Sequence, residues 1–418
     1  MGHILYMIPV SPPARLSRPF GTATRPYERL SIAIAVGAMG TLGFSVTAPI
    51  LPDLADAFGV SRGSIGLVQG SISFAGVIFS AIIGYLADRV GRRRVVLSAL
   101  ALFSVFGVAG FFARSFWALV AVRFLQGVGT SGILGVGIVL IADSFEGDAR
   151  TRAMGINMTG LQMTSLLGPV VAGLLAIGGI FRPFLIFLIG IPLAVWASRM
   201  PADRPEIAAE RPLRHLRAAL TTMRRERTLA DYAGVLAATF VATYLLHGLG
   251  LTVVPLLLDD EFGIEVAGRG VLIASFQLGI VLAAIRIGVL IDWIGKANLV
   301  TASFALMAVG SAITALAASA GSVVAGLAVC GFGFGAFVPQ AQAFAATVGG
   351  QAYRGLTVLF WVTIIRLSQV SGPPAGSMIY DTLGPSVPFW SAAAITGVLA
   401  LAWIPVRRAV SNPAGAAS

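Results

Sequence analysis

Charge, cysteine, histidine and lysine are all scarce in this chain. Of its 418 residues, 11% are Asp, Glu, Lys or Arg, where a soluble domain carries roughly a quarter. The one cysteine, Cys330, excludes an intramolecular disulfide and any metal site built on several thiolates. The histidines His3, His215 and His247 fall at no ligand spacing, and no Walker, dinucleotide or H-E-x-x-H motif occurs in a usable context. No catalytic constellation, metal site or cofactor is expected, so the chain does not read as an enzyme. The long apolar stretches also lack a central Asp or Glu.

Apolar residues make up 57% of the chain, and the mean hydropathy is +0.88. Crossing a hydrocarbon layer takes roughly 20 apolar residues, and in lipid only helices or closed barrels satisfy every backbone group. Long unbroken runs imply helices. Six runs fall near Leu30 to Leu51, Ser64 to Ala87, Val95 to Ala113, Phe116 to Ala142, Met154 to Gly178 and Phe184 to Met200. Six more fall near Leu229 to Leu258, Val271 to Ile291, Leu299 to Ala318, Val323 to Ala346, Leu356 to Ile379 and Val387 to Ile404. The expected fold is an all-α membrane protein of twelve transmembrane helices.

Residues 1–28, rich in Pro and Arg, read as a disordered tail, 29–199 and 229–405 as two helical units, and 406–418 as a second tail. The linker, 200–228, contains "PLRHLRAALTTMRRER", with Leu213, Leu216, Leu220 and Met223 on one helical face, as an interfacial helix would have. Lys and Arg collect in loops on the cytoplasmic side of membranes. With the first tail inside, 22 of the 29 basic residues face inward, Arg62, Arg114, Arg182 and Arg269 face outward, and Arg123, Arg286 and Arg366 lie within helices. Both termini are therefore expected in the cytoplasm. The net charge of +11 is then explained by anionic headgroups, with no nucleic-acid partner required.

An internal repeat sits at one offset. Gly84, Asp88 and Gly91 recur as Gly288, Asp292 and Gly295, each 204 residues later. The same shift carries Gly127 and Gly129 onto Gly331 and Gly333, Arg150 onto Arg354, and Gly168 with Pro169 onto Gly372 with Pro373. An offset of six helices plus a linker keeps both copies in the same orientation. Such parallel repeats, here two six-helix bundles, are one plan of transporters whose substrate site lies near the midplane.

The stretch "GYLADRVGRRRVV" resembles the signature of the major facilitator superfamily between its second and third helices, matched at Gly84, Leu86, Asp88, Arg89, Gly91, Arg92 and Arg93. "RFLQGVGTSG" is similar to the R-x-x-Q-G pattern of that family's proton-coupled drug exporters, through Arg123, Gln126 and Gly127. "GLQMTSLLGPVVAG" resembles their fifth-helix antiporter pattern through Gly160, Gly168, Pro169 and Gly173, with the early glycines only partly in register. The resemblance covers about Glu28 to Arg407 and implies alternating access, with proton-coupled export of a small amphipathic molecule. It also implies that Asp88 meets the eleventh helix, starting near Leu356. Arg92 is expected to pair with Asp143 at the inner end of the fourth helix, and these contacts, with Gly84 and Gly91 and the weaker second copy at Asp292 and Gly295, are expected to latch the halves together.

Other residues are singled out by chemistry. An arginine near a helix centre costs about 2.5–3.5 kcal/mol on insertion scales, so it needs a partner or a wet cavity. Arg123 is expected in coupling or gating, with Gln126, Asp53 and His247, since imidazole titrates near neutral pH. Arg366 and its repeat mate Gln162 are expected to face one substrate cavity with Tyr244, Gln277, Gln340 and Gln369. Gly168, Pro169, Gly372 and Pro373 are expected to act as helix hinges. The expected partners are a small-molecule substrate, protons and lipid, around a monomer in a bacterial inner membrane. Buried Arg366 and Arg123 without central carboxylates support an alternative, proton-coupled uptake of a small organic anion. A membrane receptor that moves nothing is a second alternative.

Overall fold

The computed structural model describes residues 26–199, 228–348 and 350–411; most of the first tail, and the linker with its expected interfacial helix, lie outside the described residues. The described chain is helical. Its elements are α1 (Pro26–Ser45), α2 (Leu51–Phe58), α3 (Arg62–Val90), α4 (Arg92–Ala109), α5 (Phe116–Ser144), α6 (Gly147–Ala176) and α7 (Gly190–Ala197). After the linker come α8 (Leu229–Tyr244), α9 (Val254–Asp260), α10 (Val266–Ile294), α11 (Lys296–Ala315), α12 (Ala320–Thr347), α13 (Gly350–Leu383) and α14 (Val387–Ser411). Among the described residues, ten helical stretches are long and apolar enough to cross a membrane, and Arg182–Ala197 and Val387–Trp403 are shorter apolar helices.

Boundaries follow local chemistry. Ser61, Ser115 and Ser319 cap α3, α5 and α12 by accepting backbone N–H bonds in the first turn, which satisfies donors a helix start leaves free. Gly91 and Gly295, with φ of 92° and 77°, make the tight turns between α3 and α4 and between α10 and α11, where a side chain would be strained. This accounts physically for the second repeated glycine of the signature.

Three apolar runs are not the plain helices their composition suggests; the sixth begins as a 3-10 helix, Arg182–Ile189, and only then becomes α7. The first breaks after Ser45, passes through a short 3-10 turn, Ala48–Ile50, and resumes as α2; Pro49 and Pro52 lack the N–H groups needed to continue α1. The seventh carries a π-helical segment, Leu245–Val253, between α8 and α9, centred on a stretch with Gly248 and Gly250 and followed by Pro255. Elsewhere helices outrun the apolar runs. α6 starts at Gly147 rather than near Met154, which takes Arg150 and Arg152 into the helix.

Elements before the linker pack mainly on one another, as do those after it, and two seams join the sets: α3 against α13, and α6 against α10. Close approaches recur at the repeat offset. A β-carbon on Gly127 would overlap the carbonyl of Ile72, and one on Gly331 that of Phe276; Gly129 lies against Ala99 and Phe103, Gly333 against Ser303 and Met307. The seams repeat likewise. Gly66 meets the carbonyl of Pro373, and Gly270 meets that of Pro169. Small residues let helix backbones touch where apolar burial supplies no driving force.

Both seams are tight at one end and parted at the other. Along α3, Gly63, Gly66, Gly70 and Gly76 each face α13, whereas Gly84 meets no described neighbour. Gly155, Gly288 and Gly355 are equally open near the same end of α6, α10 and α13. The two sets of helices therefore enclose a cleft that opens at the end bearing the α3–α4 and α10–α11 turns.

Candidate substrate cleft and its gate

At the closed end, an ion-pair network ties the two sets together. Arg62, first residue of α3, bonds Asp56 and Asp260 at 2.8 Å and Asp259 at 3.3 Å, and donates to the Pro52 carbonyl at 2.8 Å. Arg269 on α10, 1% exposed, pairs with Asp53 and Asp259 and donates to the Pro49 carbonyl at 3.0 Å. The Tyr380 hydroxyl donates to Asp260 at 3.0 Å, and Ser377 donates to the Gly63 carbonyl at 2.8 Å.

Arg62 and Arg269, expected as loop charges outside the membrane, are instead helix residues in this network. A charge near a helix end reads as loop in a linear sequence, while tertiary pairing lets the helix extend past it. Asp53 joins the network through Arg269, which it shares with Asp259; Asp56, Arg62, Asp259, Asp260 and Arg269 are site residues that sequence reasoning missed. A signal existed: "DAFGV" from Asp56 recurs as "DEFGI" from Asp260 at the same 204-residue shift. Gly59 and Gly263, with φ of 61° and 60°, end the helices in the same way.

The first polar node lies in the N-terminal half. Arg123 on α5 is fully buried and donates to Gln126 at 2.6 Å, to Thr47 at 3.3 Å and to the carbonyl of Gly43. Gln69 accepts from Thr47 at 3.1 Å and donates to the Phe44 carbonyl at 3.1 Å. The break after α1 frees those two carbonyls, and a buried carbonyl without a donor is costly. Arg123 and Gln69 supply the donors. No titratable group lies among the hydrogen-bond partners of Arg123.

The second node lies in the π-helical segment. The Gln369 amide nitrogen is 3.1 Å from Nε2 of His247 and must donate to it, so the imidazole carries its proton on Nδ1 and donates to the Thr243 carbonyl at 3.2 Å. Phe44, from the other half, meets the imidazole edge-on with ring centroids 5.6 Å apart. Oε1 of Gln369 is buried without a partner. His247 thus occupies the boundary between the halves, just above the cleft.

Arg366, three residues nearer the open end on α13, is half-buried. Its guanidinium reaches across the seam, so that a β-carbon on Gly76 would lie 3.3 Å from Nη1, with Ser131 beside it. No described residue accepts a hydrogen bond from it. Gln162 on α6 is half-buried. Gln277 on α10 is buried, at 7% exposed. Gln340 donates to the Ala336 carbonyl at 2.8 Å and leaves Oε1 buried and unpaired. Tyr244 packs on Gly248 and Gly372.

The expected hinge and latch residues fall at opposite ends of the cleft. Gly168 lies against Ser45, while Pro169 and Pro373 present their carbonyls to glycines across the seams. Both prolines lie inside continuous helices. At the open end Asp292 is exposed and Arg92 half-buried, and the side chains of Asp88 and Asp143 lie outside the described residues.

Comparison with known proteins gives concordant matches. The family model of the Major Facilitator Superfamily matches residues 33–249 and 235–417. The chain is 31% identical to the bacillibactin exporter of Bacillus subtilis (strain 168) over 34% of its own length, spanning only 38% of that protein. It is 26% identical to a chloramphenicol resistance protein of Streptomyces lividans, over 94% of this chain and 99% of that one. In fold it is similar to a crystal structure of the nucleoside transporter NupG, with a TM-score of 0.71 at 13% identity, over 91% of this chain and 98% of that chain.

Proposed function

Because this chain belongs to the Major Facilitator Superfamily, a family of membrane transporters, we propose that it is a twelve-helix secondary transporter of two parallel six-helix bundles, exporting a small amphipathic molecule in exchange for protons. One observation carries the reading: the two seams are zipped at one end and parted at the other. A cleft open to one side and closed by breakable ion pairs on the other is one state of an alternating-access cycle. The open end carries Arg89, Arg92, Arg93, Arg94, Arg150, Arg152, Lys296 and Arg354, which supports the reading that it faces the cytoplasm. In the opposite state, the Asp88 and Arg92 latch would close this end while the Arg62 and Arg269 network opens.

Export is supported by the exporter and resistance names of the relatives above, one of them matched along nearly its whole length. Proton coupling has a candidate in His247, the one histidine in the spans, with Asp53 and Asp259 in the gate. A protonated His247 would donate through Nε2, and a half-turn of the Gln369 amide would offer Oε1 to receive it. The test is a pH step across proteoliposomes with fluorescent amphipathic dyes, anionic as well as cationic, and, in parallel, chloramphenicol as probes. Uncoupler-sensitive movement is expected; movement indifferent to the uncoupler removes the proton, and binding without movement favours a receptor.

A further inference from the structure

We propose that Arg366 is the recognition site for a carboxylate on the cargo, a reading that rests on the transporter function proposed above and narrows its substrate class. Three observations converge on it. The guanidinium sits in a membrane-spanning helix and has no acceptor among the described residues, although an arginine at such depth costs several kcal/mol unless paired or wet. The two fully buried arginines are satisfied, Arg123 by carbonyls and Gln126, Arg269 by two carboxylates. Arg366, half-buried between the halves, is left for something that comes and goes.

Position is the second observation. Moving down the α3–α13 seam from the closed end, Gly63 faces Asp381, Gly66 faces Pro373, Gly70 faces Val370 and Gly76 faces Arg366; Gly84 faces nothing. Arg366 is thus the last contact of the zipped seam and the apex of the open cleft. A ligand entering from the open end meets it where the halves converge.

The third observation is chemical. A guanidinium is a rigid planar fork that matches the two oxygens of a carboxylate. Gly76, with no side chain, leaves the space on α3 that lets this fork cross the seam. One turn toward the closed end, the buried Oε1 of Gln369 has no partner, and a rotation of that amide toward the cleft would let it accept from a hydroxyl or amide N–H on the same ligand, since residues three apart share a helix face. The site therefore selects an apolar molecule with one carboxylate and disfavours its neutral isostere.

The experiment compares naphthalene-2-carboxylate with naphthalene-2-carboxamide, binding to the purified full chain by calorimetry, in the unaltered protein and in Arg366→Gln. The unaltered protein is expected to bind the carboxylate at least tenfold more tightly than the amide, and Arg366→Gln to lose that preference. Because removing an unpaired cation relieves a desolvation cost, the melting temperature of Arg366→Gln should be equal or higher. Should it fail to fold, Gly76→Val, which crowds the guanidinium from α3, is expected to lose the preference instead. No preference in the unaltered protein, or a preference retained in the variant, overturns the site. Flux of the same two compounds in proteoliposomes separates the two readings. Carboxylate-selective binding without flux defeats the transporter and keeps the site, whereas equal flux of both compounds defeats the site and keeps the transporter.

Discussion

The α3–α13 seam and the α6–α10 seam are built alike where they close and differ where they part. At the closed end Gly66 meets the carbonyl of Pro373, and 204 residues on Gly270 meets that of Pro169. At the cleft apex the likeness fails. Gly76 and Arg366 on one seam correspond to Ile280 and Gln162 on the other, and Ile280 is buried. The polar nodes differ as well, since His247 and Gln369 correspond to Gly43 and Ser165. Duplicated contacts are mechanical, serving any cargo, and the unduplicated ones are where specificity and coupling have room to reside.

The mechanical equivalence is open to the most severe test. Leucine at Gly66 or at Gly270 would drive a side chain into backbone that cannot yield, and overpacking costs about 1–3 kcal/mol even where neighbours can shift. Each substitution should prop its seam open and lower flux in proteoliposomes at least tenfold, by similar factors. Cys330 is buried, so a cysteine introduced at Ser377 can report seam opening by its labelling rate. A large loss at one glycine and none at the other would break the equivalence.

The gate ranks next, and its two arginines are unequal. Arg269 is buried between Asp53 and Asp259, and removing one partner of a buried pair costs about 3–5 kcal/mol. Both carboxylates are more than a quarter exposed, so Arg269→Gln should fall at the lower end, enough to favour the opposite state about a hundredfold. The Arg62 side chain is 20% exposed where that of Arg269 is 1%, and its partners Asp56, Asp259 and Asp260 are 67%, 26% and 28% exposed; pairs that water reaches contribute about 0–1 kcal/mol each. Arg62→Gln should therefore shift the same labelling assay less. Equal shifts would mean that the network acts as one unit.

Much of this was legible in the sequence. The apolar runs, the 204-residue repeat and the glycines of the signature turn are all visible there, because lipid imposes helices and a turn with positive φ imposes glycine. The node around His247 was not legible. A π-helical segment has no pattern of its own in an apolar run, and Gln369 lies far from His247 along the chain. Arg123, Gln162 and Arg366 were noticed as polar residues in spans, yet only tertiary contacts separate the satisfied Arg123 from the unpaired Arg366. In a membrane helix both the lipid face and the core face are apolar, so periodicity does not reveal which side lines the cleft. The gate pairs were obscured for the opposite reason, their charges sitting where topology alone explains them.

The smallest effect is expected at the least symmetric point. Gln369→Leu removes the donor to Nε2 of His247, a hydrogen bond contributing about 1 kcal/mol, but it also removes the orphaned Oε1, so the net change in melting temperature should be small. Proton-driven accumulation should still fall several-fold, because leucine offers no acceptor to a protonated imidazole while the amide does. Ser165→Ala, at the corresponding position of the first half, should change neither quantity. Both variants would be compared in proteoliposomes across a series of imposed pH gradients. If Gln369→Leu left accumulation unaltered at every gradient, the histidine pair would be a packing feature, and the search for the proton would return to Asp53 and Asp259 in the gate.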